Sequence, residues 1–157
     1  MIQTSKEKKI AEKYDSITFL AEWESKFSFE SLRTLAKQKF PSFKRLKFVY
    51  VIRAKKLPED LPRVADVYYL HHKDFGWQGQ FKSAEVKSLF KDDEKSILLC
   101  YDLSTNKYVK KIILQANNDL KIGFESESLP NFDLAFRMSQ PSIEQLFEQT
   151  EKYLKKL

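Results

Sequence analysis

Apolar residues fall along this chain in short blocks whose spacing switches between the period of a strand and that of a helix. Ile17-Thr18-Phe19-Leu20-Ala21 is β-branched and apolar and predicts a strand. Leu32, Leu35 and Ala36 form an i, i+3, i+4 stripe; Ser28 or Ser31 can open that helix and Pro41 stops it. Leu46 to Ala54 predicts a second strand, nearly all apolar in its middle, as expected when both faces are covered. Pro58 and Pro62 break up the segment from Leu57 to Arg63. A third strand runs from about Val67 to His71, and Ser83 caps a short helix with Val86, Leu89 and Phe90 on one face.

Asp92-Asp93-Glu94 is a polar turn before a strand from Ser96 to Tyr101. Ser104 or Asn106 starts a helix with Val109, Ile112, Ile113 and Ala116 spaced for burial, and Asn117-Asn118 ends it. Leu120 to Phe124 and Phe132 to Met138 read as strands joined through Leu129-Pro130-Asn131, a step short enough for a hairpin at one sheet edge. The last helix opens near Ser142, with Gln145 at capping-box spacing, and carries Ile143, Leu146, Phe147, Thr150, Leu154 and Leu157 as one stripe. Before all of these, Thr4 and Glu7 box a helix over 5–14 with Ile10 and Tyr14 on one face. This alternation predicts an α/β fold. We expect a single three-layer domain over residues 1–157, with a mostly parallel, Rossmann-like sheet of about six strands and right-handed crossovers.

Composition narrows the setting. Apolar residues make up 42% of the chain, enough for a packed core. The runs Phe48–Ile52 and Ile97–Tyr101 fall far short of the ~20 residues of a membrane helix. Charge rather than a hydrophobic signal segment follows Met1–Lys6. A single cysteine, Cys100, makes no internal disulfide and suits a reducing compartment, so a soluble cytoplasmic protein with no membrane partner is expected. The net charge of +6 is lopsided: residues 1–56 hold 14 Lys and Arg against 6 Asp and Glu, while residues 57–157 hold 14 against 16. Such asymmetry attracts acidic partners or nucleic acid.

Candidate chemistry concentrates in His71-His72-Lys73-Asp74-Phe75-Gly76-Trp77-Gln78-Gly79-Gln80, which holds both histidines, two of three glycines and one of two tryptophans. Its place after a strand is the favoured end of an α/β sheet. No glycine precedes Gly76 and no Gly-Lys-Ser/Thr follows Gly79, which excludes a standard dinucleotide or Walker loop. Two histidines and one cysteine make a poor zinc set, so neither a metal nor another cofactor is implied. His72 and Asp74 would share a side if the strand continued, and Asp102, at the end of the next strand, is their best neighbour as a third acid–base group. The plain reading of Asp102 is a helix cap. His71, Trp77 and Gly79 are candidates to touch a ligand, although Trp77 reads first as a loop anchor alongside Phe75 and Phe81. Cys100 sits mid-strand and reads as a buried small hydrophobe.

The loop string, then Glu85-Val86 and Phe90, and further on Lys121-Ile122-Gly123-Phe124, Asn131-Phe132-Asp133-Leu134 and Lys152-Tyr153-Leu154, resemble an uncharacterised bacterial family, found mainly in Bacteroidetes, with a K-D-F-x-W-x-G loop. The resemblance covers roughly residues 66–157. Where that family opens its central strand with Phe-Asp, this chain has Lys95-Ser96-Ile97. The resemblance implies a small α/β protein of unknown function and supplies no site residues.

Three functional readings follow. The first is a binding or interaction protein for a small ligand or protein partner. The second is an enzyme with His72, Asp74 and Asp102 at the strand ends and Trp77 as a wall. The third is RNA association through the basic first third, where Lys37, Lys39, Lys44, Arg45 and Lys47 are interleaved with Phe40, Phe43 and Phe48. A homodimer through an edge strand is compatible with the pattern, with no residue pointing to it.

Overall fold

β1 (Ser16–Glu22) is buried along nearly all its length because strands flank both of its edges and helices cover both of its faces. The computed structural model describes residues 13–90, 95–103, 106–129 and 131–156. Within them the other strands are β2 (Arg45–Val51), β3 (Val67–Leu70), β4 (Ser96–Cys100), β5 (Leu120–Phe124) and β6 (Leu134–Phe136). The helices are α1 (Lys26–Lys39), α2 (Ala84–Ser88), α3 (Lys107–Gln115) and α4 (Ile143–Lys155). The sheet runs β3-β2-β1-β4-β5-β6 with every neighbouring pair parallel. That is the Rossmann order, in which the chain works outward from β1 and then returns to its other side.

Alternation along β1 and β2 sorts their side chains into two cores. Ile17, Phe19, Phe48 and Tyr50 face α1 and α4, where Phe19 stacks on Phe48 at 5.0 Å and meets Phe147 at 5.3 Å. Leu20, Val49 and Val51 face α2 and α3, packing with Val86, Val109, Ile112 and Ile113. The three-layer α/β expectation is therefore met.

Several local expectations are revised. The hairpin does not form, because β5 and β6 are parallel. The connection between them buries Leu129 on the α2/α3 side, and Phe132 packs there too. The chain thus returns to the start of β5, where the Asp133 and Lys121 backbones pair, instead of turning at its end. Gly123 permits this: a Cβ there would lie 2.4 Å from the Phe132 ring. β6 is also shorter than expected, and β2 stops at Val51 rather than Ala54. α1 is capped by Ser25, whose Oγ accepts from the Ser28 amide at 3.1 Å, so neither Ser28 nor Ser31 opens it. Ser83, Asn106 and Ser142 cap α2, α3 and α4. The boxed helix over 5–14 lies, except for its last two residues, outside the described residues, as do the Asp92–Glu94 turn, Ser104, Pro130 and Leu157.

Candidate binding sites at the strand ends

In a sheet of this order the switch point lies between β1 and β4, and a crevice opens beyond their carboxyl ends. The residues placed there are Glu22, ending β1, and Asp102, two beyond β4. Asp102 Oδ2 accepts the Glu22 backbone N–H at 3.0 Å, tying the two strand ends together. The N-cap of α3 is Asn106, whose Oδ1 accepts from the Tyr108 amide at 2.9 Å. The Glu22 carboxylate is held from two sides. The Arg53 guanidinium donates to both of its oxygens, and Asn106 Nδ2 donates at 3.0 Å. The same carboxylate raises the Arg53 pKa, its hydrogen bond being the larger cause.

No glycine separates Glu22 from α1, only Trp23-Glu24-Ser25, and the Ser25 side chain already occupies the helix's first turn. A carboxylate therefore stands close to where phosphate-binding sheets place a glycine turn. Among the described residues, the cavity above it, about 310 Å³, is lined by Glu22, Glu24, Asp102 and Glu144 and by no lysine or arginine. Phe27, Phe29, Leu32, Leu35 and Ile143 give it apolar walls, and Phe27 is 80% exposed at its rim.

Two phenols line the same cavity. Tyr50 is only 4% exposed, and its hydroxyl is buried without a hydrogen bond. Tyr101 stands beside it: an interaction between the two hydroxyls lowers the Tyr50 pKa and raises that of Tyr101, at a geometry outside that of a good hydrogen bond. Burial pushes Tyr50 up to about 12 and Tyr101 well above its ordinary value, so both are neutral donors at physiological pH. Trp23 fixes the Tyr50 ring edge-on at 5.3 Å.

The loop after β3 is a separate site. β3 ends at Leu70, and His72–Asp74 forms a single 3₁₀ turn, so His72 and Asp74 are not strand neighbours. Asp74 turns to His71 instead: its Oδ2 accepts the His71 backbone N–H at 2.9 Å and lies 3.8 Å from His71 Nε2. Beyond it, Phe75 and Phe81 bridge a small antiparallel pair, and the Gly79 N–H donates to the Gly76 carbonyl at 2.8 Å to close a turn. Gly79 adopts φ +86° at that turn, a backbone region that favours glycine. Gln115 of α3 clamps the turn, donating to the Gly79 carbonyl at 2.9 Å and accepting from the Phe81 amide at 3.0 Å. Phe75 is buried and stacks on Tyr108 at 4.6 Å. Trp77 is not the expected anchor. It stands 91% exposed at the tip, because Phe75 and Phe81 already fill the space beneath. A cavity of about 530 Å³ beside it is lined by His72, Lys107, Tyr108 and Lys111, with no carboxylate among the described residues.

The structure does not assemble the acid–base trio. Strands β2 and β1 lie between β3, which leads into His72 and Asp74, and β4, which leads into Asp102, so the two parent strands are about three strand spacings, roughly 14 Å, apart. Cys100 is fully buried and its thiol is pushed up to about 12 by that burial. The five basic residues differ in their surroundings. Lys37 is exposed, Lys39 lies 3.5 Å from Glu148, Lys44 lies 3.6 Å from Asp15, and Arg45 binds Asp66 and Tyr68. Lys47 is 3% exposed, its ammonium donating to the Leu89 carbonyl at 3.4 Å. Among the described residues no group of three His, Cys, Asp or Glu is placed to hold a metal ion, and no helix is long and apolar enough to cross a membrane.

Sequence reasoning reached Asp102 but missed Glu22, Tyr50, Arg53 and Tyr101. Glu22, a lone acid closing an apolar strand just before a helix, was the available signal; Tyr50 is hidden in an apolar run. A family model described as "Family of unknown function (DUF6913)" matches residues 2–157, and the chain belongs to that family. No curated protein and no solved structure matches it.

Proposed function

We propose that this DUF6913 protein is a binding protein whose crevice at the β1/β4 switch point takes a small amphipathic amine. The observation that carries the reading is the lining of that cavity, which holds four carboxylates and, among the described residues, no lysine or arginine. Carboxylates accept hydrogen bonds and favour a cation; the exposed Phe27 ring favours one too, and with Leu32, Leu35 and Ile143 accommodates its apolar part. Binding is preferred to catalysis because two strands separate the one that leads into His72 and Asp74 from the one that leads into Asp102. The K-D-F-x-W-x-G loop is our candidate for the signature of a bacterial family. A cytoplasmic setting is supported by the one cysteine, a buried free thiol.

Thermal-shift titration with phenethylamine, and with phenylacetate as its size-matched anion, tests the reading. Stabilisation by the amine alone is expected, with a weaker response in Asp102→Asn. A larger response to the acid, or none to the amine at millimolar concentration, overturns it.

A further inference from the structure

The cavity beside Trp77 has the opposite polarity to the crevice, and the two do not depend on each other. Its walls carry Lys107 and Lys111, one helical turn apart on α3, together with His72. Lys110 is exposed on the same helix, which contains no acidic residue. The nearest acid of the loop, Asp74, is engaged with the His71 backbone and lines a different cavity along β3. The indole is held out by a braced turn: Gly76 N–H donates to the Gln80 carbonyl at 2.7 Å, Gln80 Oε1 accepts from the Gln78 amide at 3.1 Å, and Gln115 pins the turn to α3. An exposed tryptophan on a fixed turn is a ready stacking platform, since little ordering cost remains when a ring lies on it.

We propose that this face binds single-stranded nucleic acid, with a base stacked on Trp77 and the adjoining phosphate held by Lys107 and Lys111. Base–aromatic stacking with lysines tracking the backbone is how sequence-tolerant single-strand binding works. The cavity is large enough for one nucleotide. An anionic membrane suits the surface less well. Trp77 is flanked by Gly76 and Gln78 rather than by apolar companions, and only Leu114 adds exposed apolar area on α3. Duplex is disfavoured because its bases offer no free face.

The full chain is titrated into fluorescein-labelled U12 and dT12 in low salt, with anisotropy and tryptophan emission read together; UMP and phosphatidylglycerol vesicles form the other arms. Expected is binding of both oligonucleotides with quenching of Trp77, weaker binding of UMP, and no vesicle co-sedimentation. Trp77→Ala should weaken U12 by about 10-fold, the size expected for one lost stack. Lys107→Gln with Lys111→Gln should flatten the dependence of log K on log salt by about 0.7 for each lost phosphate contact. Circular dichroism checks that the variants fold. No U12 binding by the wild type, binding unchanged in these variants, or loss instead in Lys37→Gln with Lys44→Gln overturns the proposal. So does vesicle binding in place of oligonucleotide binding.

Discussion

Replacing Tyr50 by phenylalanine should make the unliganded protein more stable. The hydroxyl is buried and makes no hydrogen bond, so the folded state bears its desolvation without return. An orphaned buried hydroxyl costs about 1–3 kcal/mol. Removing it leaves a void of one oxygen beside an existing cavity, which returns a fraction of that gain. The expected net is about 1 kcal/mol of stabilisation, or roughly 2–4 °C in Tm for a chain of this size. Urea unfolding followed by tryptophan emission is the assay, because Trp23 packs against this ring. The midpoint should rise with an unchanged slope. The pH dependence supplies an internal check. The folded state holds the Tyr50 proton to about 12, whereas the unfolded chain releases it near 10, so this group's contribution is complete below pH 10 and is lost as pH climbs toward 12. The phenylalanine variant should lack that part of the alkaline decline. A variant no more stable than the wild type at pH 7 would show that the hydroxyl is satisfied and refute the reasoning.

Gly123→Ala should destabilise by about 1–3 kcal/mol in urea melts, since its Cβ meets the Phe132 ring in a packed layer. Unchanged stability would mean that the β5–β6 connection yields freely. Asn106→Ala removes both the α3 cap and a donor to Glu22, and should cost about 1–2 kcal/mol by the same measurement. Cys100 should resist Ellman's reagent in the native protein and react at the rate of unfolding; rapid labelling without denaturant would contradict its burial.

Element type was legible wherever burial follows period. The stripe Leu32, Leu35, Ala36 and the run Val49–Ile52 announce a helix and a strand because one or both faces must be covered. The β5–β6 direction was not legible: Leu129 and Phe132 look like a turn and a strand start until the face that buries them is known. The crevice was hidden for a topological reason. Glu22, Tyr50 and Asp102 are brought together by the order of the strands, which no local spacing encodes. The 71–80 loop was visible as a concentration of His, Gly and Trp. The sequence could not reveal that Phe75 and Phe81 displace Trp77 from the interior, since all three are aromatic and differ only in position on a turn.

The central place of β1 has a consequence during synthesis. Its two neighbours arrive at very different times, β2 within about 30 residues and β4 only about 80 residues later, as the Ser16–Arg45 and Ser16–Ser96 pairings show. At roughly 5–20 residues per second, the second edge of Ile17–Ala21 waits for several seconds after the first is closed. In that interval the nascent chain presents an apolar strand with one open row of amides and carbonyls, a template for another chain. The most protected strand of the finished sheet is thus the one most exposed to mispairing while the sheet is built, and a ribosome-bound chain halted before residue 96 is the species in which a chaperone has most to cover.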